Sequence, residues 1–320
     1  VAEGAHLFLD SLMGDKSAIE WTDATWNPVT GCTKVSAGCK FCYAERLFPR
    51  AYSGRKFTEV RWHAERLDQP LRWKKPRRIF VNSMSDLFHE DVPGAFIGKV
   101  FGVMAVARQH VFQVLTKRPQ RMSDLLADGV VGPLKGEADQ TAFEILRERS
   151  TTAEEASRWP GLKWPLPNVW LGVSVEDQAT ADERIPLLLQ TPAAIRFVSY
   201  EPALGPIKFS DDWMRCPGGA EYGHGFNRTT VHAGCCEKYP HVNWLIAGGE
   251  SGPNARSAHP EWIRSARDQC AAAGTAFFFK QWGEWAPGEN VTDNSVVHFK
   301  VGKHLAGRKL DGREHSEYPI

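Results

Sequence analysis

Val169-Trp170-Leu171-Gly172-Val173-Ser174 is a short apolar run that ends in polar residues. Nearly unbroken apolarity with β-branched and aromatic side chains is how a strand buried on both faces reads. Glu176 to Gln190 follows with helical spacing, and Ile195-Arg196-Phe197-Val198-Ser199 is a second run of the first kind. A strand, a helix and another strand in this order predict a parallel pair joined by a helical crossover. The pattern continues outward on both sides. Upstream lie Arg78-Ile79-Phe80-Val81-Asn82 and Val111-Phe112-Gln113-Val114-Leu115-Thr116; downstream lie Trp244-Leu245-Ile246-Ala247-Gly248 and Ala276-Phe277-Phe278-Phe279-Lys280. Helices are expected at Gly94 to Gln109, Gln120 to Ala127, Thr141 to Trp159 and Pro260 to Ala273, the last with proline in its first turn. One more strand is expected just before Cys32.

This alternation predicts an α/β fold: a parallel (β/α) barrel or partial barrel of about six to seven strands, with a doubly wound open sheet as the alternative. The 320 residues read as a single domain. Insertions are expected at about residues 129–167 and 210–241, where the alternation lapses.

In parallel α/β folds the groups at strand C-termini line the functional face. Here those ends read Asn82-Ser83-Met84-Ser85-Asp86, Thr116-Lys117-Arg118, Ser174-Val175-Glu176-Asp177, Ser199-Tyr200-Glu201, Gly248-Gly249-Glu250-Ser251 and Lys280-Gln281-Trp282. Any one of them would serve as a capped helix start. Six polar ends together favour a functional rim. Trp282 would stack on a base or simply pack.

Composition is that of an ordinary globular protein, 42% hydrophobic and 24% charged, with a net charge of +1. No apolar run reaches the length of a membrane span, and the first residues lack the basic start and apolar stretch of a signal peptide. A cytoplasmic protein with no membrane partner is expected. Charge is uneven, however. Arg50 to Arg78 holds ten Lys or Arg residues against Glu59, Glu65 and Asp68, a local balance of +7, interleaved with Tyr52, Phe57, Trp62 and Trp73. Basic groups beside stacking rings suit DNA or RNA; a solvated face snorkelling over the core is the alternative.

Seven cysteines fall into groups. Gly31-Cys32-Thr33-Lys34-Val35-Ser36-Ala37-Gly38-Cys39-Lys40-Phe41-Cys42-Tyr43 places three on one loop of small residues. Three thiolates there suit three irons of a [4Fe–4S] cluster, with one iron left open to a further ligand. A closed zinc site would want a fourth ligand, for which His63 is the nearest candidate. Clustered thiols in a long cytoplasmic chain favour metal or redox chemistry over disulfides.

On these residues the chain resembles the radical S-adenosylmethionine (SAM) superfamily, whose loop after the first strand reads C-x3-C-x-φ-C with φ aromatic. Cys39-Lys40-Phe41-Cys42 matches the second half; six residues instead of three separate Cys32 from Cys39. The opening Ile19-Glu20-Trp21-Thr22-Asp23-Ala24-Thr25-Trp26-Asn27-Pro28-Val29-Thr30-Gly31-Cys32 is similar to that of a phage and bacterial three-Cys-motif family of unknown function. The similarity continues through the polar strand ends and covers most of the chain. It implies a [4Fe–4S] cluster on Cys32, Cys39 and Cys42, reductive cleavage of SAM to a 5′-deoxyadenosyl radical, and a flavodoxin- or ferredoxin-type electron donor. By position it also implies Asn82, Ser83 and Asp86 near the methionine amino group, Ser174 and Glu176 near the ribose or carboxylate, and Lys117 on the carboxylate or a substrate phosphate. Gly248-Gly249-Glu250 resembles the superfamily's glycine–glycine–glutamate element, although it comes late in the chain.

A second group, Cys216, His224, His232, Cys235, Cys236 and His241, lies in the later insertion. Cys216, His232, Cys235 and Cys236 are the candidate ligands of a second metal, zinc or another iron–sulfur cluster; incidental placement is the alternative. Glu201, Glu250, Lys280 and Trp282 are candidate substrate contacts. The expected function is a radical SAM enzyme that modifies or repairs a nucleic acid or nucleotide. The alternatives are an iron–sulfur or zinc-containing nucleic-acid-binding protein without SAM chemistry.

Overall fold

The computed structural model describes residues 16–127, 133–150, 160–215, 240–289 and 296–319. The chain opens with β1 (Ala24–Trp26), β2 (Val29–Thr30) and α1 (Tyr43–Ala51). It continues through β3 (Arg61–Trp62), β4 (Arg78–Val81), α2 (Gly94–Val106), β5 (Val111–Thr116), α3 (Pro119–Leu126) and α4 (Pro133–Arg149). Next come β6 (Val169–Val175), α5 (Gln178–Gln190), β7 (Ile195–Tyr200), β8 (Trp244–Gly248), α6 (Pro260–Ala273) and β9 (Ala276–Gln281). A hairpin of β10 (Trp285–Glu289) and β11 (Val296–Lys300) pairs antiparallel.

Seven strands form one parallel sheet in the order β1-β4-β5-β6-β7-β8-β9. The order follows the sequence without reversal. A doubly wound sheet reverses at a switch point, and this one does not, so every crossover advances the same way. That is the strand order of a partial parallel (β/α) barrel. Among the described residues no helix is long and apolar enough to cross a membrane.

The chain packs as two compact units. The first holds residues 1–34, 44–171 and 191–194; the second holds 35–43, 172–190 and 195–320. In the first, β1 pairs with β4 (Thr25 opposite Phe80) and β4 with β5 (Phe80 opposite Gln113). Trp26, Ile79 and Phe112 are fully buried, as runs covered on both faces require, and Phe101 of α2 is buried with them. α2 packs on α4. α4 starts eight residues before the helix expected from Thr141. Leu134, Ala138 and Ala142 form its buried stripe at intervals of four, and the charged residues between them hide that stripe in the sequence. Residues 151–159, the remainder of the expected helix, lie outside the described residues.

In the second unit, β7 pairs with β8 and β8 with β9, all parallel. Trp244 fills the core between Phe197 and Phe278, and its indole donates to the Glu317 carbonyl at 2.8 Å. α6 ends at Gly274 in the left-handed conformation, the usual glycine stop.

Candidate metal centre

Of the four cysteines among the described residues, none is in a disulfide. Cys270, in α6, is sealed in the core, and burial pushes its thiol well above the ordinary range. Cys32, Cys39 and Cys42 are only half-buried. They occupy the connection from β2 to α1, which leaves the C-terminal side of the first strand. Cys32 belongs to the first unit, and Cys39 and Cys42 to the second.

Around Cys32 the first unit builds a charged network. Gly31 turns the chain at φ 88°, and a Cβ there would come within 2.5 Å of the Glu59 carbonyl oxygen. The Arg118 guanidinium donates to Cys32 Sγ at 3.5 Å, to Thr33 Oγ1 at 2.7 Å and to Glu90 at 2.9 Å. Asp86 is the hub beneath it. Its carboxylate accepts from Thr116 Oγ1 at 2.7 Å, from the Lys117 and Phe88 amides at 3.0 Å, and from Arg118 at 3.4 Å. Burial disfavours the Arg118 charge, but Asp86, Cys32 and Glu90 outweigh it and raise its pKa. Asn82 has φ 62°, and its Oδ1 accepts from the Val29 amide at 3.1 Å, while its buried Nδ2 has no partner. Ser83 donates to Asn27 Oδ1 at 3.2 Å.

The loop segment of the second unit that carries Cys39 and Cys42 is tied to ion pairs. Ser36 Oγ, 3.9 Å from Cys39 Sγ, donates to Glu176 Oε1 at 2.9 Å. Glu176 is fully buried and paired with Arg184 at 3.3 Å. Arg184 also donates to the Ser174 carbonyl at 2.7 Å. Arg256 grips Glu250 through Nε at 2.9 Å and Nη2 at 2.7 Å, and donates to the Ala37 carbonyl at 3.0 Å. Lys280 pairs with Glu201 at 2.6 Å. Trp282 is buried, and its indole donates to the Lys309 carbonyl at 2.9 Å, so this ring packs.

Thus Asn82, Ser83, Asp86, Lys117 and Cys32 belong to the first unit, and Ser174, Glu176, Glu201, Glu250, Lys280, Trp282, Cys39 and Cys42 to the second. Among the described residues no three Cys, His, Asp or Glu side chains are gathered as ligands for one metal ion. Cys216, His224, His232, Cys235 and Cys236, the expected second group, lie outside the described residues.

A family model described as a protein of unknown function, DUF5131, matches residues 16–319. This chain belongs to the DUF5131 family. No curated protein and no solved structure matches it.

Three arginines of this DUF5131 chain, Arg118, Arg184 and Arg256, bear on the site and were not among the expected site residues. Arg118 was legible as part of a polar strand end. Arg184 and Arg256 lie on a helix and a loop, and nothing local says which carboxylate each will meet.

Histidines wholly buried (His89, His110) or partly buried (His63, His315) shape the pH response of this chain. His63, His89, His110 and His315 all titrate below 6.5, in each case chiefly because burial disfavours the imidazolium. Neighbouring Arg118 adds to this at His89. The unfolded chain therefore binds protons more readily than the native one, and stability present above 6.5 is lost as pH falls below it. Thermal melts of metal-free protein should show Tm falling between about pH 7 and pH 5.5; an unchanged or rising Tm over that interval would contradict the assignment.

Proposed function

We propose that this chain is a radical SAM enzyme that holds a [4Fe–4S] cluster on Cys32, Cys39 and Cys42 and acts on a nucleic acid or nucleotide. One observation carries the reading. Three half-buried thiols, none in a disulfide, share the connection after the first strand of a parallel sheet wound in sequence order, while the fourth described cysteine is sealed away. The donor set fits: three soft thiolates on a loop of small residues, with Arg118 donating to one sulfur. A ligand set rarely exists fully formed before its metal, and binding would supply the free energy that draws the thiolates together.

Bound there, the cluster would supply the electron for reductive cleavage of SAM. The chain's own groups orient and enclose. Asn82 offers an unpartnered amide donor, and Lys117 brings a cation to the same strand-end region. Asp86 is engaged by four donors, which makes its role one of holding the Lys117–Arg118 turn and, through Arg118, Cys32. The decisive experiment is anaerobic reconstitution with iron and sulfide, followed by reduction in the presence of SAM. Formation of 5′-deoxyadenosine is expected. Protein with a full cluster that yields none would reduce the reading to an iron–sulfur protein without SAM chemistry.

The basic segment supports the substrate class in a narrower form than its +7 balance suggests. Arg61 pairs with Glu59, Arg66 with Glu65, Arg72 with Asp68, and Arg78 with Asp23. Lys56, Lys74 and Lys75 are exposed, and Trp62 is 51% exposed on the neighbouring strand. These are the groups suited to phosphates and a base. Affinity for single-stranded DNA or RNA should fall steeply as salt rises, with a log–log slope of roughly −0.7 per phosphate contact. Neutralising Lys56, Lys74 and Lys75 together should flatten that slope. Equal binding by the neutralised protein, or none at low salt, would point instead to a free nucleotide or small molecule.

A further inference from the structure

The carboxylates of Glu176 and Glu250 sit where the superfamily resemblance looks for cofactor or substrate ligands, yet both are directed at the protein's own cysteine loop. Three separate contacts tie residues 35–43 to them. The Ser36 hydroxyl donates to Glu176 Oε1 at 2.9 Å. The loop backbone lies directly on that carboxylate: a Cβ at Gly38 would come within 2.3 Å of Glu176 Oε1. Arg256 bridges Glu250 to the Ala37 carbonyl and lies over the Phe41 ring, 5.3 Å from its centroid.

Each carboxylate is already compensated. Glu176 has no exposed surface and is paired with Arg184, itself 3% exposed. Glu250 accepts from Arg256 through Nε, Nη2 and the backbone amide. A carboxylate meant for a ligand's ammonium or hydroxyls would keep an accessible oxygen, since exchanging a formed buried ion pair for a new one gains little. The loop amides also close on themselves, Cys39 on the Ser36 carbonyl at 3.0 Å and Lys40 on the Ala37 carbonyl at 3.2 Å. That turn is what the two pairs hold.

We propose that Glu176 and Glu250, through Ser36 and Arg256, are positioning residues that pre-form the Cys39–Cys42 half of the metal loop, and that neither is a ligand of SAM or substrate. The proposal refines the iron–sulfur reading of the same loop and rests on it for its metal arm only. Pre-forming half the loop leaves the metal less chain to order when it binds.

The first arm of the test needs no metal. Hydrogen exchange of metal-free protein is followed in peptides covering 35–43 and β8. Glu250→Gln, Arg256→Met and the milder Ser36→Ala should each speed exchange of 35–43, the first two by about tenfold or more, while β8 keeps its protection. Arg256→Lys, which keeps the charge and loses the fork, should fall between. Unchanged exchange in all of these variants would overturn the proposal. The second arm uses reconstituted protein. Glu250→Gln should release iron to a chelator faster than wild type, and at matched iron content its affinity for SAM should be unchanged. A large loss of SAM affinity at matched iron content would overturn it by making Glu250 a ligand. If wild-type protein assembles no cluster, the functional reading fails, and the exchange arm alone decides this inference.

Discussion

Cys39→Ala should abolish assembly of the proposed cluster: the anaerobically reconstituted variant should lack the broad visible absorption expected of the wild type and hold iron and sulfide near background. The size of the effect follows from ligand count. In the proposed centre three thiolates would hold three irons, and removing one would leave two sulfurs for a cluster that exchanges readily with solvent thiols and chelators. Cys39 is the sharpest choice because Ser36 and the short turn that closes on it prepare its neighbourhood. Cys270→Ala is the matching control. That thiol is sealed in α6, and its loss should leave iron content unchanged and cost only a small core cavity. Full iron content in Cys39→Ala, or in a variant lacking Cys32, Cys39 and Cys42 together, would end the assignment.

Glu176→Ala carries the largest expected loss of stability. Arg184 is 3% exposed, and its Nε already lacks a hydrogen-bond partner. Without Glu176 its charge is left in the interior with the Ser174 carbonyl and, 3.9 Å from Nε, the solvent-exposed carboxylate of Glu183 to receive it. Breaking a buried pair from one side costs about 3–5 kcal/mol, mostly the penalty of the stranded charge. Denaturant unfolding should show a lower midpoint with an unchanged slope. Replacing both partners, Glu176→Leu with Arg184→Leu, should recover much of the loss, because no charge then remains to strand. A loss below about 1 kcal/mol in the single variant would mean that water reaches Arg184.

The features legible in the sequence are those whose meaning is local. Val111 to Thr116 reads as a buried strand because both its faces are covered, and it is one over the same bounds. Pro260 to Ala273 is a helix with the expected ends because proline opens it and glycine stops it. The three cysteines stand out because their spacing and small neighbours are contiguous. The start of α4 was hidden because an interval of four among charged residues is a weak stripe. The carboxylates are instructive in another way. Glu176 and Glu250 close strands, where ligand-binding groups gather, and only the positions of Arg184 and Arg256 reveal that their charge is already met. A sequence lists the charges; which ones cancel is a property of the packed chain.

The contrast between Cys270 and the loop cysteines has a practical consequence. In metal-free protein an alkylating reagent meets two kinds of thiol among the described residues. Three are half-buried and should react without unfolding. The fourth can react only through molecules whose α6 has come away from the sheet, so its labelling rate counts openings rather than collisions. Peptide-resolved labelling therefore gives this chain a built-in clock for its second unit, read at position 270 without any introduced probe, and the loop cysteines in the same digest serve as the internal standard for reagent activity.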